Sequence, residues 1–238
     1  MSLFNLFGRN KSVDYPQDII TLRDGSSATL TFFAHASLMV EWQGRHIYLD
    51  PVGEGVEWSK LPKADVILIS HGHYDHFDMA TVEQLRGEQC HIICTKEVAE
   101  AFEHDCTTMT PGAVAQPFED VRIEATAAYN TTEDHTQFHP QEREDCGYRL
   151  TIGGTTIYFA GDTEDNDDVL SQRDVDIAFL PVNQPYTMTV EQAVRAVKAI
   201  RPQVFYPYHY GQVDEKTDVE ALVAALDGVC EVRVRPME

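Results

Sequence analysis

Within six positions, 71 to 76, the stretch ILISHGHYDHF carries three imidazoles (His71, His73, His76) and one carboxylate (Asp75), directly behind an apolar run. Neutral imidazole and carboxylate are the donors that borderline divalent cations such as zinc take, so the chemistry indicated is metal binding. His71 and His73, two residues apart, can project together from an extended turn, while Asp75 and His76 turn toward a neighbouring position. A loop rich in histidine by accident is the bland alternative, and it gives no reason for this spacing straight after VILIS. Four residues cannot complete two metal sites, so further ligands are expected where other strands end. IYFAGDTEDN puts Asp162 after an apolar run, with Gly161 letting the backbone turn sharply. VFYPYHYG puts His209 after another, with Gly211 close behind, and HIYLDPVG puts Asp50 after a third. Alone, a carboxylate after a strand is ordinarily a cap or turn residue. Four strand ends that each deliver a metal-capable group make a stronger pattern.

Taken together, HGHYDH, DP, GDT and PYHYG resemble the metallo-β-lactamase superfamily, and the resemblance runs from about Leu30 to Gly211. HASL at His35, with LDPV and PYHYG, is most similar to its single-domain metal-dependent hydrolases. These are relatives of ascorbate-6-phosphate lactonase and of the N-acyl-phosphatidylethanolamine phospholipase D group. The resemblance implies an α/β fold, a four-layer αββα sandwich of two mixed sheets with helices outside and a dinuclear site at one edge. It implies that His71 and His73 hold a first metal, that Asp75, His76 and His209 hold a second, and that Asp162 bridges them. Two divalent ions are expected, zinc ahead of manganese. One departure matters. The superfamily usually supplies a third histidine to the first metal, but this chain reads ATAAYNTTEDHTQFHP there, with Asn130 at the matching strand end. His135 and His139 follow it, and His139 is the candidate stand-in, either as a ligand or facing substrate. An amide oxygen from Asn130 would be a poorer zinc ligand and would tilt the site toward a harder ion.

Other residues take more modest expectations. Asp50 is expected beside the metals, orienting a ligating imidazole by accepting its other N–H, and Asn130 is expected in the same outer layer. Asp75, His35 and His139 are the candidates for catalytic work. Tyr186 and Tyr210 are candidate pocket walls, against the common alternative that aromatics at strand ends simply pack; Asn183 is in the same position. His46, His91 and His104 read as structural, and EDNDD at 164–168 reads as a solvated helix start.

Two metals lower the pKa of a shared water toward neutrality, and no Ser–His–Asp pattern or phosphate-cradling glycine loop competes. The expected function is hydrolysis of a small ester, lactone or phosphodiester. The alternatives are a phosphodiesterase acting on lipids or nucleotides, and a non-catalytic metal-binding module whose first site has decayed.

The elements that must position these groups are legible as alternating patterns. ATLTFFAH, SLMVEW and HIYLDP read as strands, the last two joined by QGR, and ADVILIS reads as a strand buried on both faces. Helices are expected at MATVEQLR and KEVAEAFEH, and strands at CHIICT, VRIEATAAY, GYRLTI and TTIYFAG. The last third alternates strand VDIAFLPV, helix TVEQAVRAVKAI with a capping box at Thr189 and Gln192, and strand VFYPYH. It then continues with helix DVEALVAALDG, capped by Thr217 and Glu220, and strand CEVRVRP. Residues 1–22 are expected to be an N-terminal arm without the apolar core of a signal peptide, and 23–238 a single domain. With 39 acidic against 18 basic residues the net charge is −21, which disfavours nucleic acid and anionic membranes and suits a small-molecule substrate. Five scattered cysteines suggest a reducing, cytoplasmic setting. The pattern leaves a homo-oligomer open.

Overall fold

Short alternating strands account for the first sheet. The computed structural model describes residues 15–53, 55–102, 105–211 and 216–238. Strands β1 (Gln17–Thr21), β2 (Ser27–Phe32), β3 (Leu38–Trp42) and β4 (Arg45–Leu49) pair antiparallel in sequence order. Gln43 and Gly44, between β3 and β4, both take positive φ, 51° and 75°. That is the two-residue turn whose twist suits paired strands. β5 (Ala64–Ile69) and β6 (Arg86–Cys94) continue the sheet in parallel, with helix α1 (Met79–Leu85) as their crossover. Helix α2 (Lys96–Ala99) leads to β7 (Thr107–Thr108), the seventh strand.

The second sheet repeats the plan with β8 (Val114–Phe118), β9 (Val121–Ala127), β10 (Cys146–Ile152) and β11 (Thr155–Phe159) as its antiparallel half. Parallel strands β12 (Ile177–Pro181), β13 (Val204–Tyr208) and β14 (Glu231–Val232) follow. Helices α3 (Asp167–Ser171), α4 (Val190–Ile200) and α5 (Val219–Ala225) connect them.

Strand periodicity sorts the side chains into layers. Leu30, Phe32, Val40, Ile47, Leu49, Val66 and Leu68 point between the sheets and meet Ile123, Leu150, Ile157, Phe159, Phe179 and Tyr206. Their neighbours in sequence point outward: Tyr48, Ile67 and Ile69 lie under α1, and Tyr158, Ala178, Leu180 and Phe205 lie under α4 and α5. Each fully buried Leu, Ile or Phe contributes roughly 1.5–3 kcal/mol. The result is the expected αββα sandwich. Helix α4 begins as its sequence requires, with Thr189 accepting from the Gln192 N–H and the Gln192 side chain accepting from the Thr189 N–H.

Several expectations are corrected. Residues 17–21 of the expected arm are β1, paired in full register with β2; residues 1–14 lie outside the described residues. Helix α5 is capped by Asp218, which accepts from the Ala221 N–H, while Thr217 donates to the Val182 carbonyl. KEVAEAFEH forms one α turn followed by a 3-10 turn over Glu100–Phe102, and His104 lies outside the described residues. CEVRVRP contributes only Glu231–Val232 as strand. EDNDD is not solvated at its start: Glu164 is fully buried and Asn166 is the buried cap of α3.

Candidate metal centre

Both sheets deliver their chemical groups at the same end, where the parallel strands finish. β4 runs into Asp50, β5 into Ser70 and His71, β11 into Asp162, and β13 into His209. His35, Asp50 and His209 are non-glycine residues in the left-handed region, with φ of 52°, 40° and 55°. Such strain persists where surrounding contacts over-determine it. Here the His35 N–H donates to the Glu238 carbonyl and the His209 N–H to the Met237 carbonyl, so the C-terminal segment pins both turns. Gly161, at φ 67°, precedes Asp162; a Cβ there would sit 2.8 Å from the Cys146 carbonyl oxygen.

Around Asp162 the donors fall into two groups. The donor atoms of His71, His73 and His139 lie within 4.8 Å of one another, and so do those of His35, Asp75, His76 and His209. Asp162 stands between them. Its Oδ2 is 3.5 Å from His139 Nε2, 4.0 Å from His71 Nε2 and 3.1 Å from His209 Nε2, and its Oδ1 is 3.3 Å from His76 Nε2. Asp75 Oδ2 is 3.3 Å from His35 Nε2 and 3.8 Å from His209 Nε2.

Asp50 sets the tautomers of two histidines. It accepts from the Ser70 N–H at 2.7 Å and the Ser70 hydroxyl at 2.5 Å, and lies 2.8 Å from His76 Nδ1. His76 therefore carries a proton on Nδ1. The one Ser70 hydroxyl proton goes to Asp50, so at 2.9 Å the Ser70 oxygen accepts from His71 Nδ1–H. His71 is left with its lone pair on Nε2.

Electrostatics suit a cation. Burial, then the charge on His76, hold His71 well below the ordinary imidazole range. Burial, His139 and Arg143 bring His73 down to about 4. Burial disfavours charge on His76 too, yet the Asp162 and Asp50 carboxylates hold it well above the usual value. Burial likewise opposes charge on Asp162, but His209 and His76 hold it well below the carboxylate range. His71 Nε2, His76 Nε2 and Asp162 Oδ1 are buried without a hydrogen-bond partner. Such atoms are costly to leave unsatisfied, and this donor set fits divalent cations.

The structure does not bring every candidate to the cluster. The Asn130 amide donates to the carbonyls of Tyr186 at 2.7 Å and His135 at 3.2 Å, so its side chain braces the loop that carries His139. Its N–H also donates to the His139 carbonyl at 2.9 Å, which folds the loop back on itself. His139, 1% exposed, is thereby turned into the site. The Tyr210 ring packs in the core and its hydroxyl donates to the Arg235 carbonyl; the cavity it lines, with Gly211, Lys216 and Asp218, holds none of the clustered histidines. Tyr186 packs edge-on against Phe138, with ring centres 4.8 Å apart, and the Asn183 amide donates to the Gly211 carbonyl at 2.5 Å. His46 pairs loosely with Asp65, and His91 meets Phe118 edge-on.

Three groups were missed by sequence reasoning. Arg143 lies 2.9 Å from His73 Nε2 and 3.1 Å from His139 Nδ1, and its Nε donates to Asp145 at 2.9 and 2.8 Å. Glu164 accepts from the Thr131 and Thr132 N–H groups at 2.8 and 2.7 Å and lies 2.9 Å from His135 Nδ1. Asp145, at the end of this loop, is buried, and nothing in the spacing of QEREDC announces it.

Comparison with known proteins gives the family. Residues 29–209 match the family model described as the beta-lactamase superfamily domain. The chain belongs to that superfamily. A UPF0173 metal-dependent hydrolase of Pelotomaculum thermopropionicum is 31% identical over 194 residues, covering 76% of this chain and 83% of the relative. One from Methanosarcina mazei is 27% identical over 217 residues, covering 86% and 93%. Among solved structures, one described as a metal-dependent hydrolase from Parabacteroides distasonis superposes with a TM-score of 0.88 at 38% identity, covering 94% of this chain and all of that one. A metallo hydrolase from Ignicoccus hospitalis gives a TM-score of 0.73 at 25% identity, covering 89% and 96%. The superfamily member described here is an enzyme of this hydrolase class.

Proposed function

We propose that the chain is a dinuclear metal-dependent hydrolase of a small ester, lactone or phosphodiester. In this reading His71, His73 and His139 hold one divalent cation and Asp75, His76 and His209 hold the other, zinc ahead of manganese. The observation that carries the reading is the place of Asp162, buried and ionised, with histidine nitrogens of both groups within 4.0 Å of its oxygens. When bound, the cations supply Lewis acidity and lower the pKa of water toward neutrality.

The chain's own residues then have separate tasks. Asp50 and Ser70 keep His71 and His76 in tautomers that offer Nε2. Asp75, part-exposed and hydrogen-bonding distance from His35, keeps an ionised carboxylate below its usual range. Burial opposes that charge, while His35 and His76 stabilise it. In this reading Asp75 orients water at the mouth of the site, with His35 Nε2 3.3 Å from its Oδ2. His139 takes the part of a ligand rather than a substrate contact, because its Nε2 faces Asp162 and its side chain is buried. Small substrates suit a chain of net charge −21. The five cysteines carry free thiols, in keeping with a reducing, cytoplasmic setting; no helix among the described residues is long and apolar enough to cross a membrane.

Elemental analysis of protein purified without added metal or chelator tests this reading. Wild type should hold close to two ions per chain and His139→Ala close to one, with turnover of a panel of esters, lactones and phosphodiesters lost in the variant. Equal metal content in both would remove His139 from the ligands. Full turnover in His73→Ala or Asp162→Ala would end the mechanism.

A further inference from the structure

Arg143 approaches both His73 and His139, and no superfamily pattern noted above accounts for it. A guanidinium only donates hydrogen bonds. At 2.9 Å from His73 Nε2 and 3.1 Å from His139 Nδ1, it requires a lone pair on each of those nitrogens. A neutral imidazole has one lone pair and one N–H. His139 therefore carries its proton on Nε2, the nitrogen 3.5 Å from Asp162 Oδ2. A metal ion needs a lone pair at that position. On His73 the Nε2 lone pair is spent on Arg143 and Nδ1 holds the proton. Whichever nitrogen His73 offers, Arg143 has to release it first.

The other group is wired the opposite way. There the partner of His76 Nδ1 is the Asp50 carboxylate, an acceptor, and Nε2 faces the Asp162 carboxylate at 3.3 Å rather than a cationic side chain. Among the described residues, no lysine or arginine donates to His35, Asp75, His76 or His209.

We propose that Arg143 is an internal cation that competes with the divalent ion for the His71, His73 and His139 site, so that this site fills after the second and more weakly. The proposal rests on the ligand assignment above. The surroundings hold an acceptor for each group set free. Asp145 Oδ2 lies 3.7 Å from His139 Nδ1 and can take its N–H, and Glu97 Oε2 lies 3.8 Å from Arg143 Nε. A guanidinium only donates and carries a fixed positive charge, so the competition is set by geometry and charge.

The test is a zinc titration of chelator-stripped, full-length protein against a chromophoric competitor. Wild type should show two binding steps, and His139→Ala should lose the weaker one. Arg143→Met should tighten the weaker step at least tenfold and move the tighter step less than twofold. Asp145→Ala, which removes the acceptor for His139, should weaken the weaker step. An unchanged or weakened step in Arg143→Met overturns the proposal while leaving the ligands intact. Two undiminished steps in His139→Ala would instead overturn the ligand assignment, and the proposal with it. Because Arg143→Met can fail to fold, ring nitrogen NMR on wild type gives a second reading. His139 should be an Nε2–H tautomer without metal and an Nδ1–H tautomer with zinc. An Nδ1–H tautomer before metal is added would sink the idea.

Discussion

Asp50 divides two carboxylate oxygens among three donors, the N–H and hydroxyl of Ser70 and the His76 ring, and touches no substrate position. Burial lifts its pKa, and the His76 and Ser70 bonds pull it back. Replacing it by Asn puts an amide N–H where one of these donors points and frees two histidine tautomers at once. Outer partners of this kind typically govern 10–100-fold in metal affinity. Asp50→Asn should therefore lose about 10–100-fold in zinc affinity by chelator competition while the apolar core stays folded; unchanged affinity would deny Asp50 its orienting part. At this scale the sequence was readable wherever a strand ended in a donor: His71, His73, Asp75, His76, Asp162 and His209 all converge. It was not readable where the chain returns to the site from a long loop. His139 could be weighed only among ligand, substrate contact and plain loop histidine, because what turns it inward is the bond from the Asn130 N–H to its own carbonyl. Arg143 and Asp145 were not singled out for the same reason: burial of a loop residue leaves no period to detect.

Elements decide how firmly that loop is held. The turn after β11 presents Asp162 and, two residues on, Glu164, whose buried carboxylate gathers Thr131, Thr132 and His135 from the loop that carries His139. Asn166 and Thr163 bind the Tyr129 carbonyl alongside. One turn therefore sets both Asp162 and the loop that carries His139. Burial raises the Glu164 pKa, but the His135 contact and the threonine N–H bonds bring it down to about 2 from an ordinary 4.5. A depressed carboxylate contributes stability above its unfolded pKa and loses it as pH falls toward the folded one. In chelator-stripped protein, the thermal stability advantage of wild type over Glu164→Gln should be full above pH 4.5 and shrink as pH drops toward about 2. An advantage that does not depend on pH would contradict the clamp. The strands and α4 were legible because packing and propensity agree there, as in the Thr189 capping box. β1 was not, since Ile19 on this edge strand is 74% exposed and the alternation is weak. The Asp218 cap of α5 was displaced by one residue, because Thr217 is an equally good cap by type but spends its hydroxyl on Val182.

Over the whole molecule, the site is where the two sheets are tied at one end. His71, His73, Asp75 and His76 come from the first sheet's strand ends and turns, and Asp162, His209 and His139 from the second's. Asp50, Asp75, Asp145 and Asp162 bring four carboxylates into this region of a chain whose net charge is already −21. A cation bound there would join the halves of the sandwich and relieve repulsion that folding otherwise has to overcome. A site that exists only in the folded chain stabilises it by about 2.7 kcal/mol at a free ion concentration one hundred times its Kd. In a domain of this size each kcal/mol moves Tm by roughly 2–4 °C. Stripping the protein with chelator should lower Tm by about 5–10 °C, and added zinc should restore it. In Asp162→Ala, which removes the group between both clusters, the chelator shift should shrink to near zero. A wild-type Tm that stays put after elemental analysis shows the metal gone would mean that the sheets hold this end together by packing alone.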